Sequence, residues 1–223
     1  MSLLAQIRGI TFDVGGTLIE PWPSVGQVYA DVAARHGMKN VSAAILDERF
    51  RAAWRASRDF DYTRAGWERL VQQTFHGFAN SSSWTNFFSD LYERFAEAEV
   101  WRVFDDVRPA LDALASRGIR LGVVSNWDER LRVLLQRLRL DRHFETFAIS
   151  CEVGFAKPSP VVFEHAAAGL GLPPSAILHV GDSEELDVQG AKSAGFQALR
   201  IVRNCDDAGG GCVTSLNKLA AED

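Results

Sequence analysis

Cysteine, lysine and long apolar runs are all scarce in this sequence of 223 residues. Three cysteines are too few for a disulfide scaffold, so we expect a reducing, cytoplasmic location. No apolar run reaches the ~18 residues that a membrane-spanning helix needs, and the first residues lack the apolar core and cleavage site of a signal peptide. The formal net charge is −5, whereas proteins that bind nucleic-acid backbones normally carry a basic surplus. We therefore expect neither a membrane nor a nucleic acid as a partner.

The overall composition, with 47% apolar and 24% charged residues, is typical of a soluble globular protein. At ~150 residues per domain, the length allows one large domain or two small ones. Only four of the 24 basic residues are lysine, so a lysine in a distinctive local context is informative. Lys157, which follows a predicted strand and precedes Pro158, has such a context.

The chain after Val103 alternates between predicted strands and predicted helices. Alternation of this kind indicates a parallel, Rossmann-like α/β sheet with helices on both faces, and a first strand at 7–13 belongs to the same sheet. The later strands are predicted at 119–124, 146–150, 176–181 and 197–202, and the helices at 107–117, 129–140, 160–169 and 185–194.

The intervening stretch has a different, all-helical character. Ser24 and Ser42 are predicted to cap its first two helices, and further helical patterns cover 64–78 and 83–97. We therefore predict an α/β core formed by 1–19 and 104–223, with a helical domain inserted at 20–103.

Small polar groups, carboxylates and the scarce lysine follow the ends of four predicted strands. In an open parallel sheet, ligands bind beyond the carboxyl ends of the strands, near the point where the strand order reverses. Four such ends together predict a site there. Its candidate residues are Asp13, Gly15, Gly16, Thr17, Ser125, Asn126, Lys157, Asp182 and Asp187.

These residue types fit a phosphate bound together with a divalent cation. Asp13, Asp182 and Asp187 would repel one another in a partly dry cleft unless a cation lay between them, and oxygen ligands favour Mg²⁺. Backbone amides of the Gly15–Gly16 turn are expected to approach an anion.

Each candidate also has a simpler structural interpretation. Asp13 could cap a turn, Ser125 could cap the following helix, and Lys157 could be a solvated loop residue. Thr17 and Asn126 could either position the substrate or support a turn. Asp182 and Asp187 could simply face the positive end of a helix dipole. His143, His165 and His179 are expected to be core or surface residues, and Cys205 and Cys212 are expected to lie in a loop.

Taken together, the strand ends resemble the four motifs of the haloacid dehalogenase-like hydrolase superfamily. The resemblance spans the whole chain, with 20–103 in the place of that family's helical cap. The matching motifs are Phe12-Asp13-Val14-Gly15-Gly16-Thr17-Leu18, Ser125-Asn126, Lys157-Pro158 and Gly181-Asp182-Ser183-Glu184-Glu185-Leu186-Asp187.

The resemblance implies a strand order of 5-4-1-2-3 and a role for each matching residue. Asp13 would be the nucleophile that forms an aspartyl-phosphate, and Ser125 and Lys157 would bind the phosphoryl group. Mg²⁺ would be held by Asp13, the Gly15 carbonyl and Asp182. Asp187 would assist the metal or orient Lys157.

Gly15 departs from the pattern, because phosphatases of the family usually carry a second Asp there as general acid. Losing general acid–base catalysis costs ~10²–10⁴ in rate, so slow turnover or a substitute acid is expected. Haloacid dehalogenases have Tyr at this position but lack the acidic metal cluster. Phosphonoacetaldehyde hydrolases have Ala and use a cap lysine, for which Lys39 is the one candidate in the inserted domain.

These features predict a Mg²⁺-dependent phosphohydrolase that acts on a small phosphorylated metabolite, as a monomer or homodimer. The alternative is a non-catalytic or regulatory module that binds phosphate and has kept the fold. Gly15 is the residue that keeps the alternative open.

Overall fold

The computed structural model describes residues 6–57, 60–78, 84–203 and 211–220. The chain divides into two compact units, one formed by Met1–Glu20 with Val103–Asp223 and the other by Pro21–Arg102. Ser83, with which a helix was predicted to begin, and Cys205 lie outside the described residues.

The described residues form strands and helices in an order that alternates within the first unit. The strands are β1 (Gly9–Phe12), β2 (Ile19–Pro21), β3 (Trp101–Val103), β4 (Arg120–Ser125), β5 (Thr146–Ile149), β6 (Ile177–Gly181), β7 (Gln197–Ile201) and β8 (Cys212–Val213). The helices are α1 (Val25–Arg35), α2 (Ala43–Ala56), α3 (Arg64–Thr74), α4 (Trp84–Arg94), α5 (Val107–Ser116), α6 (Arg130–Arg137), α7 (Ser150–Val153), α8 (Pro160–Leu170), α9 (Gly190–Ser193) and α10 (Asn217–Ala220).

The large sheet has six parallel strands in the order β5-β4-β1-β6-β7-β8. Every residue of β1 and β6 is buried, as expected for parallel strands whose two faces are both covered. The α/β class and the order of the five predicted strands are confirmed. The short strand β8 was not predicted, because two residues carry no periodic signal.

The segment after β6 departs from the single predicted helix at 185–194. It forms a π-helical stretch, Glu184–Gln189, that runs directly into α9. Ser183 caps the stretch, because its side chain accepts a hydrogen bond from the Leu186 amide. Wider π turns are often found at functional sites, and this one places Asp187 over the end of β6.

The second unit is a helical domain built from α1 to α4 around an aromatic core. Tyr29, Phe75 and Phe87 lie at its centre with their rings in contact, and each is at most 3% exposed. Ser24 caps α1 as predicted, because its Oγ accepts a bond from the Gln27 amide at 3.1 Å. Ser42 precedes α2 but makes no side-chain capping bond. Among helices in the described part of the chain, none combines the length and apolar character required to cross a membrane.

Candidate active site

Asp13 lies directly after β1, at the centre of the sheet, and the residue as a whole is 7% exposed. The Asp13 amide donates to the Val180 carbonyl at 2.9 Å, which continues the pairing between β1 and β6 beyond the last strand residue. Its Oδ1 accepts bonds from Ser125 Oγ at 2.9 Å and from Lys157 Nζ at 2.7 Å. Burial raises the pKa of the Asp13 carboxyl, Lys157 opposes that shift, and the charge of Asp187 adds to it.

Lys157 is 5% exposed and bridges two carboxylates. Its Nζ donates to Asp13 Oδ1 at 2.7 Å and to Asp187 Oδ1 at 2.6 Å. Burial alone would lower the pKa of Lys157, but the charges of Asp13 and Asp187 outweigh it and hold the pKa above its usual value. Lys157 is therefore a buried, permanently charged residue and not a solvated loop lysine.

Asn126 holds the backbone of Lys157 from both sides. The Lys157 amide donates to Asn126 Oδ1 at 2.6 Å, and Asn126 Nδ2 donates to the Lys157 carbonyl at 3.0 Å. The sequence left two roles open for Asn126, positioning the substrate or supporting a turn. These bonds favour the supporting role, because the side-chain amide is bonded to the backbone of Lys157.

Asp187 is 1% exposed and is held by three donors. Its Oδ1 accepts from Lys157 Nζ and from His179 Nε2, at 2.6 and 3.0 Å, and its Oδ2 accepts from the Ser183 amide at 2.9 Å. Burial alone would raise the pKa of Asp187, but the charge of Lys157 and the bond from His179 hold the pKa well below its usual range. The carboxylate is therefore ionised and fixed in orientation.

Asp182 completes the acidic cluster at the exposed side of the site. One ligand atom from each of Asp13, Asp182 and Asp187 lies within 4.8 Å of the others. Partial loss of hydration raises the pKa of Asp182 to about 7, and the charges of Asp13 and Asp187 add to this. The charge of Asp182 is therefore sensitive to pH near neutrality.

The charges of this cluster do not balance within the protein. One ammonium group faces three carboxylates, which leaves two net negative charges when all are ionised. A divalent cation would neutralise them, and a set of oxygen ligands suits Mg²⁺. The residues present therefore fit the cation that the sequence predicted.

The loop after Asp13 is a tight turn. The Val14 carbonyl accepts bonds from the amides of Thr17, Leu18 and Ile19, while the Gly16 amide donates to the Ile19 carbonyl at 2.8 Å. The Gly16 amide is consequently satisfied within the turn. The expectation that it would approach an anion is not met for this residue.

Thr17 is fully buried in this turn, and its Oγ1 has no hydrogen-bond partner among the described residues. Its carbonyl accepts from Nε and Nη2 of Arg203, which follows β7. Arg203 also forms an ion pair with Asp106, in which Nη1 donates to both carboxylate oxygens, at 2.9 Å to Oδ1 and 2.7 Å to Oδ2. This arrangement favours the turn-supporting role that the sequence left open for Thr17.

We expect Arg203→Met to destabilise the protein by about 3 kcal/mol, because it leaves a mostly buried Asp106 carboxylate without its partner. Burial alone would raise the pKa of Asp106, but bonds from Arg203, Ser215 and Leu216 hold the pKa below its usual value. A carboxyl with a lowered pKa contributes stability above its unfolded-state pKa and loses it as pH falls through the folded-state pKa. Urea unfolding of both proteins at pH 7 and pH 3 measures this. A difference as large at pH 3 as at pH 7 would contradict the assigned ion pair.

Gly15 faces the indole of Trp127. A Cβ atom at Gly15 would lie 3.3 Å from Trp127 Cζ3 and 3.9 Å from Cη2. Gly15 is not among the glycines with positive φ, so the obstacle to a side chain here is the neighbouring ring and not the backbone. The Trp127 backbone is anchored by Ser150, whose Oγ accepts from the Trp127 amide at 3.0 Å and donates to the Trp127 carbonyl at 3.1 Å.

The remaining sequence-predicted residues have clear positions. Ser125 does not cap a helix, because α6 begins five residues later and Ser125 Oγ instead donates to Asp13. Lys39 follows α1 and is exposed, so it lacks the burial that activates a lysine amine as a nucleophile. His165 is exposed, whereas His143 is partly buried and its Nδ1 lies 3.5 Å from Asp112.

Three further residues contact the site and were not predicted from the sequence: Thr11, Trp127 and His179. His179 was expected to be a core or surface histidine, yet its Nε2 bonds to Asp187. One signal for His179 and Thr11 was available in the sequence. His179 lies two residues before Gly181, and Thr11 lies two residues before Asp13. Residues two apart on a strand share a face of the sheet.

Comparisons with known proteins identify the family of this chain. A family model described as haloacid dehalogenase-like hydrolase matches residues 7–195. Human haloacid dehalogenase-like hydrolase domain-containing protein 3 is 34% identical over 208 residues, covering 88% of this chain and 82% of that protein. The glyceraldehyde 3-phosphate phosphatase of Methanopyrus kandleri is 36% identical over 106 residues, which cover 45% of this chain and 43% of that protein.

Among solved structures, a HAD phosphatase from Thermococcus onnurineus superposes with a TM-score of 0.69. It is 26% identical, and the match covers 96% of both chains. The resemblance seen in the sequence motifs is thereby confirmed over most of the chain. The protein belongs to the haloacid dehalogenase-like hydrolase family.

Proposed function

We propose that this protein is a Mg²⁺-dependent phosphohydrolase that cleaves a small phosphate monoester through a covalent aspartyl-phosphate at Asp13. The observation that carries the proposal is the arrangement of Asp13. Its Oδ1 receives Lys157 Nζ and Ser125 Oγ, and the Asp182 carboxylate lies beside it at the exposed side of the cluster. The glyceraldehyde 3-phosphate phosphatase of Methanopyrus kandleri, which matches 45% of this chain, supports the same class of substrate.

In the first step an Asp13 carboxylate oxygen attacks phosphorus, and the bond from phosphorus to the leaving oxygen breaks. The electron pair of that bond leaves with the alkoxide or phenolate. Lys157 places a fixed positive charge where the phosphoryl oxygens gather negative charge, and Ser125 adds a hydroxyl donor. Lys157 thereby stabilises the transition state without moving a proton.

In the second step water attacks the phosphorus of the aspartyl-phosphate, and the bond between phosphorus and the Asp13 oxygen breaks. The carboxylate is regenerated, inorganic phosphate leaves, and the proton lost by water balances the alkoxide or phenolate released earlier. Asp187 does not take part directly, because Lys157, His179 and Ser183 occupy it. We assign it to orienting Lys157.

Mg²⁺ would be held by Asp13, the Gly15 carbonyl and Asp182, and when bound it neutralises charge on the transferring phosphoryl group. Asp182 is the ligand most open to solvent, and its raised pKa of about 7 means that a proton competes with the cation. Cation binding is therefore expected to depend on pH near neutrality.

We expect the Mg²⁺ affinity of the unmodified protein to rise about tenfold from pH 6 to pH 8, because Asp182 must lose its proton to bind the cation. Isothermal titration with MgCl₂ at both pH values measures this. Asp182→Ala should abolish most of the binding, while Glu185→Ala, which removes an exposed carboxylate three residues away, serves as the control. Equal affinity in Asp182→Ala and the unmodified protein would refute the assigned ligand.

The leaving group is expected to be one that departs without a proton. Gly15 supplies no acid, and the indole of Trp127 lies against the position that a side chain there would occupy. We therefore propose aryl phosphates, which release stabilised phenolates, as better substrates than alkyl phosphates such as sugar phosphates.

The same observation also favours a second candidate, a phosphate-binding module without turnover. A panel of sugar phosphates, nucleotides and an aryl phosphate separates the two. Turnover of the aryl phosphate that requires Mg²⁺ supports the hydrolase. Phosphate binding with no turnover of any panel member would instead establish the binding module.

A further inference from the structure

His179 is a fully buried histidine at the middle of β6, beside the acidic cluster. Its register partner on the neighbouring strand β1 is Thr11, which is also fully buried. The ring of Phe163 packs edge-on against the imidazole, with the centroids 5.1 Å apart. An imidazole in such surroundings must have both ring nitrogens paired, since an unpaired buried polar group is costly.

Both nitrogens of His179 are paired. Nδ1 lies 2.9 Å from Thr11 Oγ1, and Nε2 lies 3.0 Å from Asp187 Oδ1. Because an ionised carboxylate only accepts, the network assigns the proton to Nε2. The neutral tautomer then has Nδ1 accepting from the Thr11 hydroxyl, so both bonds form without a further buried charge.

The bond to Asp187 connects His179 to the reacting residue. The same atom, Asp187 Oδ1, accepts from Lys157 Nζ at 2.6 Å, and that ammonium group reaches Asp13 Oδ1 at 2.7 Å. A continuous chain of bonds thus runs from Thr11 through His179, Asp187 and Lys157 to Asp13. Among the residues that the structure describes, the donors to Asp187 Oδ1 are Lys157 and His179.

The Asp187 carboxylate packs closely against strand β6, and its position depends on the glycine at position 181. A Cβ atom at Gly181, two residues after His179 on the same strand face, would collide with Asp187 Cγ. The absence of a side chain at Gly181 lets Asp187 lie flat over β6 and reach His179. On the other side, the Ser183 amide holds Asp187 Oδ2.

We propose that His179 is a positioning residue for catalysis: by donating from Nε2 to Asp187 Oδ1, it fixes the carboxylate that holds Lys157 against Asp13. Without that donor, Asp187 Oδ1 is restrained by Lys157 alone, and both side chains can shift together away from Asp13. The kinetic consequence rests on the proposed function. The positional consequence, the distance from Lys157 Nζ to Asp13 Oδ1, does not.

The test compares two buried amides in place of the imidazole. His179→Gln can place an amide donor where Nε2 lies and so keeps the bond to Asp187. His179→Asn is one methylene shorter, can reach Thr11 as Nδ1 does, and leaves Asp187 without its donor. Kinetics with 4-nitrophenyl phosphate, thermal unfolding and crystal structures are measured for both variants and the unmodified protein.

We expect kcat/KM of His179→Asn to fall by roughly 10–100-fold, the usual cost of losing an outer-shell partner, while His179→Gln stays within about threefold of the unmodified protein. The crystal structure of His179→Asn should show Lys157 Nζ displaced from Asp13 Oδ1. The two variants should unfold at similar temperatures, because each places one amide among the same apolar neighbours.

Equal losses of activity in the two variants, with Lys157 undisplaced, would overturn the proposal and make His179 a core residue only. If the unmodified protein turns over no phosphate ester, the proposed function fails instead. In that case the position of Lys157 in His179→Asn still decides the positioning role. A Lys157 that remains against Asp13 in that variant would refute it.

Discussion

Asp13→Asn is expected to reduce turnover of 4-nitrophenyl phosphate by roughly 10⁴-fold or more, the scale on which losing a covalent nucleophile acts. An amide oxygen is a far weaker nucleophile than a carboxylate and cannot form the acyl-phosphate. Intact-mass measurement after an acid quench is expected to show one added phosphoryl group on the unmodified protein and none on the variant.

The fold should tolerate this change because Asn keeps an oxygen acceptor at the Oδ1 position. Ser125 Oγ and Lys157 Nζ can still donate to it. The substitution also leaves Lys157 and Asp187 as a balanced ion pair, so it does not strand the buried ammonium group. Thermal unfolding should therefore stay close to that of the unmodified protein, and inorganic phosphate should still bind.

Asp105→Asn provides the matched control, since it removes an exposed carboxylate elsewhere in the same unit. Its activity should equal that of the unmodified protein. If Asp13→Asn retained more than about one per cent of the activity, Asp13 would be a ligand and not the nucleophile.

Placing an acid at position 15 should have the second-largest effect, provided that Trp127 is removed at the same time. We expect Gly15→Asp combined with Trp127→Ala to raise kcat/KM for an alkyl phosphate by up to ~10²-fold, the low end of general-acid effects. The alkyl substrate gains most because its alkoxide leaving group needs a proton. An aryl phosphate should gain little.

Gly15→Asp alone is expected to gain less, because its Cβ would lie 3.3 Å from the Trp127 ring. That contact is tight, and the indole can yield only as far as its backbone anchor on Ser150 allows. The two substitutions should therefore be non-additive. Measuring kcat/KM for both substrate classes in the two single variants and the double variant gives the coupling directly.

The control for the proton is Gly15→Asn with Trp127→Ala, which has nearly the same shape but supplies no acid. A gain in this control equal to that of the Asp variant would show that space and not acidity limits the alkyl reaction. Fast alkyl turnover by the unmodified protein would show that another residue already supplies the proton.

Much of the fold could be predicted because its signals are local. Alternating strand and helix patterns after Val103 identified the parallel sheet, and the turn at Gly15–Gly16 marked the end of β1. Element ends were less accurate: the helix predicted at 64–78 ends at Thr74, and the one at 129–140 ends at Arg137. The π-helical turn at Glu184–Gln189 was missed, since no local pattern distinguishes it from an ordinary helix.

For the candidate site, the sequence was enough to predict which residues come together, because parallel strands bring their carboxyl ends to one edge of the sheet. Asp13, Ser125, Lys157 and Asp187 are linked by hydrogen bonds in the structure, although up to 174 positions separate the first from the last. The chemical type of each side chain and its position after a strand are enough to predict that these residues lie close together. The metal role of Asp182 stays a prediction that titration can test.

The contacts of each side chain could not be predicted from the sequence and became visible in the folded chain. His179 bonds to Thr11, 168 positions away, and Trp127 covers Gly15, yet neither contact leaves a periodic or compositional trace. The carbonyl of Thr17 similarly accepts a hydrogen bond from Arg203, which lies 186 positions later in the chain. Such contacts arise from strand register and the packing of separate loops, which are properties of the folded chain as a whole and not of any local segment.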